Sequence, residues 1–165
     1  MLINIIYHGL ICSILLSTII LLLLLKSPRI FLEGYPDSIR SCVPPKTKLE
    51  KRWSLYYGIP FLSVLVLYPL LIGWQLEGLN NDGFMSLVVL IWGILLVFNL
   101  FDLLIIDWLL ICVITPKFVI IPGTEGNKGY NDYGFHFLAF LKGTIITLVM
   151  AFLISFVIIT TLRLK

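Results

Sequence analysis

The residues with the means to do chemistry fall in the second half of the chain. Asn99, Asp102 and Asp107 interrupt one long apolar run, and Asp132, His136 and Lys142 lie at the start of the next and within it. Helix rise sets their relative depth. With the first of these helices ending near Thr115, Asp107 lies about 12 Å in and Asp102 about 20 Å; with the second starting near Tyr133, Lys142 lies about 13 Å in. Consecutive antiparallel helices then place Asp107 and Lys142 level with each other, and an ion pair between them is the expected contact. A lone Asp or Lys at the centre of a membrane helix costs roughly 2.5–3.5 kcal/mol on insertion scales, so such residues seek partners. At about 100° per residue, Asp102 and Asp107 point roughly 140° apart, and no single partner meets both squarely. Asn99, three residues before Asp102, is spaced to hydrogen-bond its carboxyl.

His136 follows Asp132 by one helical turn. A histidine beside a carboxylate is the arrangement a general base uses; the plainer reading is an interfacial side chain bonded near a helix cap. His136, Asp132, Asp107 and Asp102 are thus the catalytic candidates. His8 has no evident partner. The segment from Ile121 to Gly134 carries four glycines (Gly123, Gly126, Gly129 and Gly134) with Lys128, Tyr130 and Tyr133 among them. Such a loop can turn backbone N–H groups toward an anion, although glycines also serve simply to let a loop turn tightly. Lys128, Tyr130 and Tyr133 join Asn99 and Lys142 as binding candidates. Neither a phosphate-binding loop, a metalloprotease motif nor a nucleophile elbow is present. Cys12, Cys42 and Cys112 share no short spacing with each other or with histidine, so no disulfide framework, metal site or cofactor is expected.

What must position these groups is unusually apolar. Hydrophobic residues make up 59% of the 165 positions and charged ones 13%, against about a quarter charged in a soluble domain. The fold class expected is all-α: a single membrane domain, 1–165, built as a four-helix transmembrane bundle. The spans are placed at 2–25, 54–74, 84–108 and 138–160, each long enough for a bilayer core of about 30 Å. The first run has no basic residues before it and no small-residue cleavage site after it, and reads as an anchor rather than a signal peptide. Pro60 and Pro69 predict a kink in the second helix.

Local signals mark the helix starts. Thr47-Lys-Leu-Glu50 is a capping box, Asp82 can cap the third helix, and Asn131 or Asp132 the fourth. Ser27-Pro28 predicts a short helix over 28–33 presenting Ile30, Phe31 and Leu32 to lipid. Gly58, Ser63, Gly73, Gly93 and Gly143 are the small residues offered for helix contacts.

Seven basic residues, Lys26 to Arg52, lie between the first two runs, and Lys117 and Lys128 between the last two, whereas the 75–83 connection has none. The loops 26–53 and 116–135 are therefore expected in the cytoplasm, with both termini outside a cell membrane. No soluble basic face remains for nucleic acid; the basic loop suits anionic headgroups. Partners expected are membrane lipids, and another membrane protein or a second copy. Three function classes follow: an accessory or scaffold protein using its polar cluster as internal glue, an enzyme acting on a lipid or lipid-linked substrate at the cytoplasmic interface, and a proton- or ion-coupled carrier using Asp102 and Asp107.

Overall fold

The structure, a computed structural model, describes residues 1–80 and 83–164. Among these there are helices and no strands. Four helices are long and apolar enough to cross a membrane: α1 (Leu2–Lys26), α2 (Lys48–Asn80), α3 (Phe84–Ile114) and α4 (Tyr133–Arg163). Each expected span lies inside one of them, but the helices run further. The capping box starts α2 at Lys48: the Thr47 N–H donates to Glu50 Oε2 at 2.8 Å and the Glu50 N–H to Thr47 Oγ1 at 3.2 Å. Asp132 starts α4, its Oδ1 accepting from the Phe135 N–H at 2.9 Å. At the other end of the bundle α2 continues through most of the segment read as a 75–83 loop. The expected Asp82 cap lies outside the described residues, and Gly83, with φ 91°, precedes α3. Pro60 and Pro69 both lie within the continuous run of α2.

The centre of the bundle is α3. Its first half packs most extensively against α1 and α4, and α2 touches all three more thinly. Burial follows: 39% of the most apolar stretch of α3 is enclosed but only 6% of that of α2. Close approach depends on glycine. A Cβ at Gly9 would lie 2.6 Å from Val97, one at Gly93 2.9 Å from Ile5, and one at Gly73 2.9 Å from Ile158. Gly58 meets nothing within 4 Å and is not a contact point, while Gly9, not singled out by its sequence context, is one. His8 does have a partner, its Nδ1 lying 3.0 Å from the Tyr68 hydroxyl across α1 and α2.

The two long loops meet at one end and form a second core, in which Leu32, Tyr35, Ile39, Val119, Ile121 and Tyr130 pack onto Leu24 and Ile106. Ser27-Pro28 opens a 3₁₀ helix, Pro28–Gly34, as expected of a proline at its first position. Its Leu32, however, is buried rather than turned outward, because the loop folds back over the ends of α1 and α3. The Tyr35 hydroxyl donates to the Val119 carbonyl at 2.8 Å, and Asn127 Nδ2 to that of Ser38 at 2.8 Å. Burial, then the neighbouring Tyr130 and Asp107, push the Tyr35 phenol above its ordinary range, so it remains a donor. Lys46 pairs with Glu33 and donates to the Ile30 carbonyl at 2.5 Å. Burial raises the Glu33 carboxyl, but the hydrogen bond from Lys46, a backbone hydrogen bond and the charges of Lys46 and Lys51 together hold the group below its usual value.

Replacing Gly9 by valine should overpack the α1–α3 contact and lower stability by about 1–3 kcal/mol, whereas Gly58→Ala should leave it unchanged or slightly raised. Thermal melts of the two variants in one detergent measure the difference, and equal melting temperatures would contradict the assigned contact.

Candidate functional site

The third helix changes its winding at the first of its two aspartates, three residues after Asn99. From Asp102 to Ile114 it is π-helical, with i→i+5 hydrogen bonds such as Thr115 N–H to the Leu110 carbonyl at 2.9 Å. It ends with Thr115 in the left-handed region, φ 44°, just before Pro116. The winding corrects the expectation that Asp102 and Asp107 diverge by about 140°, which assumed α geometry throughout. Residues five apart stack along a π-helix, and both carboxyls face the same space. Segments of this kind are rare and occur often at functional sites.

That space is a pair of adjoining cavities. One, of about 250 Å³, lies nearer the loops and is lined by Leu24, Tyr35, Phe61, Ile106, Phe135 and His136 with both aspartates. The other, of about 260 Å³, extends away from the loops along Leu65, Asn99, Phe140, Gly143, Thr147 and Met150. Phe61, Asp102, Asp107 and Ala139 border both. No lysine or arginine lines either one. Their walls are otherwise largely apolar, the kind of pocket in which a few polar groups orient a ligand.

His136, in the first turn of α4, is the partner of Asp107: its Nδ1 lies 3.1 Å from Asp107 Oδ1. The expected Asp107–Lys142 pair does not form, and Lys142 is exposed. Two reasons are geometric. His136 and Lys142 are six residues apart, about 120° around α4, so turning one inward turns the other aside. The wide turns of the π segment also advance less per residue, which leaves Asp107 closer to the loop end than α-helical rise implies. The carboxylate beside His136 is therefore Asp107 and not Asp132, which is exposed and occupied as the helix cap.

Asn99 turns to α4, donating from Nδ2 to Thr147 Oγ1 at 3.2 Å. Gly143 makes room for it, since a Cβ there would lie 3.3 Å from Asn99 Oδ1. Two atoms in this constellation are shielded from solvent without a hydrogen-bond partner: Asp102 Oδ1 and His136 Nε2. Ser17, Trp108 and Ser155 each have a similar orphaned atom, but none of these residues lines the two cavities.

The binding candidates divide. Asn99 borders the site; Lys142 and Lys128 are exposed away from its lining. Tyr130 is 2% exposed, and its hydroxyl accepts from the Ile121 N–H at 2.9 Å and lies 2.6 Å from Thr124 Oγ1, which makes it a keystone of the loop core rather than a binding lip. Tyr133 is exposed and stands edge-on to Trp108, ring centroids 5.8 Å apart. Tyr35, Phe61 and Thr147 belong to the site without any sequence signal beyond their residue type. No group of three or more histidine, cysteine, aspartate or glutamate residues able to hold a metal occurs among the described residues. Comparison with protein-family models, curated proteins and solved structures finds no match.

A double-mutant cycle on Asp107→Asn and His136→Gln should give a coupling of about 0.5–3 kcal/mol, while Asp107→Asn and Lys142→Met should add within about 0.5 kcal/mol. Chemical denaturation in mixed micelles reads both cycles, and coupling confined to the lysine pair would reverse the assignment.

Proposed function

We propose that this chain is a multi-pass membrane enzyme that performs acid–base chemistry on a lipid or lipid-linked substrate. Membrane insertion is supported by the outward faces of the four helices, where residues such as Leu22, Leu62, Leu71, Val113, Ile145 and Phe156 are exposed. Apolar patches of that extent face lipid or a partner rather than water. With the basic loops in the cytoplasm and both termini outside, the cavities open on the cytoplasmic half of the bilayer, and α2, which carries Pro60 and Pro69, borders them.

The observation that carries the reading is His136. A carboxylate at Nδ1 fixes the ring and favours a proton on that nitrogen, leaving Nε2, which has no hydrogen-bond partner, as the base of a residue that lines the cavity. In this reading Nε2 takes a proton from a hydroxyl held in the cavity, Asp107 stabilises the resulting imidazolium, and Asp102 serves as a second proton carrier. An accessory role, with the cluster acting as internal glue, predicts polar groups that satisfy one another, as buried polar groups ordinarily do. The open positions at Nε2 and at Asp102 favour a ligand instead.

The test is the lipid content of nanodiscs holding the protein in a total membrane lipid extract, followed over time by mass spectrometry. The wild type should convert one lipid class, and His136→Ala should slow that conversion at least about 100-fold, the low end for loss of a general base, whereas Lys142→Met, away from the cavities, should leave it unchanged. An unchanged lipid profile with the wild type would remove the enzymatic reading and return the accessory one. Orientation is checked separately: a reporter fused after Lys165 should be accessible from outside the cell, and a cytoplasmic signal would invert the topology.

A further inference from the structure

A third cavity, of about 320 Å³, lies next to the site at the loop end, between the end of α1 and the start of α2. Lys26, Arg29, Glu50, Trp53, Ser54 and Tyr57 are among the residues lining it. Its position is set by one face of α2. Tyr57 lines this cavity, Phe61 the two described above, and Leu65 the one furthest from the loops. These residues are spaced i, i+4, i+8, roughly 6 Å apart along the helix and on the same side of it. The three cavities therefore follow one another down α2 in a fixed order: cationic and aromatic, then acid–base, then one that shares the two aspartates and adds Asn99 and Thr147 to an otherwise apolar wall.

Charge narrows what the first zone can accept. Arg29 and Glu50 hold each other at 2.6 Å and cancel. Among the described residues Lys26 has the Tyr57 hydroxyl alone as a hydrogen-bond partner, and it sits 4.2 Å from the centre of the Tyr57 ring. Trp53 stacks on Tyr57, ring centroids 5.5 Å apart. The wall thus carries one net positive charge on a flexible side chain, backed by two aromatic rings of the kind that sit at headgroup depth. A single anionic group balances it. At the far end, Leu65, Phe98, Phe140, Ile146 and Met150 offer only hydrocarbon, and the exposed Ile146 leaves that end open to the outside of the bundle between α2 and α4.

We infer that the occupant is a lipid with a monoanionic headgroup, its headgroup phosphate at Lys26, its glycerol–ester region beside His136 and Asp102, and an acyl chain along Leu65 between α2 and α4. The middle placement rests on the acid–base reading given above; the two ends rest on the lining alone. An anionic lipid of this kind reaches the site from within the bilayer, since the apolar end is the one that opens toward hydrocarbon.

Nanodiscs of phosphatidylcholine containing one-tenth phosphatidylglycerol supply the probe, and native mass spectrometry of the released protein counts which lipid is retained. The wild type should retain phosphatidylglycerol well above its share. Lys26→Gln should reduce that preference about fivefold, the effect of one basic side chain near an anionic surface, and Lys26→Arg should keep it. Leu65→Trp should abolish retention of either lipid, whereas Leu62→Trp, on the exposed face of the same helix, should not. An unchanged preference in Lys26→Gln overturns the headgroup assignment, and retention by Leu65→Trp overturns the chain placement. Failure here is thus separable from failure of the acid–base reading, which is scored on conversion rather than retention.

Discussion

Asp107 lies on a helix packed on several sides, and it has to be met by a polar partner without drawing in a loop or breaking the helix. The change from α to π winding at Asp102 provides the solution, and most of the site geometry depends on it. It brings Asp107 onto the line of Asp102, lowers it to the level of the first turn of α4, and so presents it to His136. His136 is held at that level by the Asp132 cap, so the start of α4 and the winding of α3 must agree for the contact to exist. Asn99, still in the α-helical half, is directed instead to Thr147 and ties the same two helices together further along.

Around this contact the structure is uneven. The α1–α3 seam is closed by glycine and by small or branched side chains, and the loop end is closed by a core of its own, with the hydroxyls of Tyr35 and Tyr130 serving backbone groups that the loops would otherwise leave without partners. Against α2 the packing is thin. The polar cavities lie on that thinly packed side, where a ligand can enter without disturbing the main core.

The features governed by local chemistry were legible from the residues. Four apolar runs gave four helices, and Thr47 and Glu50 began α2 as a capping box. What depended on three-dimensional register was not. The π winding has no signature in Asp102–Ile114 beyond the five-residue spacing of the two aspartates, so α-helical arithmetic gave Asp107 the wrong depth and the wrong partner. Tyr130 looked like a lip residue because the loop around it is rich in glycine and polar side chains; it is buried in a core with Tyr35 and Ile39, which are far from it in sequence. The His8–Tyr68 contact spans sixty residues, and no local pattern reports it.

The winding of α3 also links the site to the thickness of its surroundings. Thirty-one residues of regular α-helix would extend about 46 Å, well beyond a hydrocarbon core of about 30 Å, and the more compact π turns shorten that mismatch. Rewinding the segment as α-helix would lengthen α3, push the loop core outward and rotate Asp107 away from Asp102 in a single motion. In the proposed membrane setting, the compact winding thus serves two ends at once: it brings the span nearer to the thickness of the hydrocarbon and keeps the two carboxyls on one cavity.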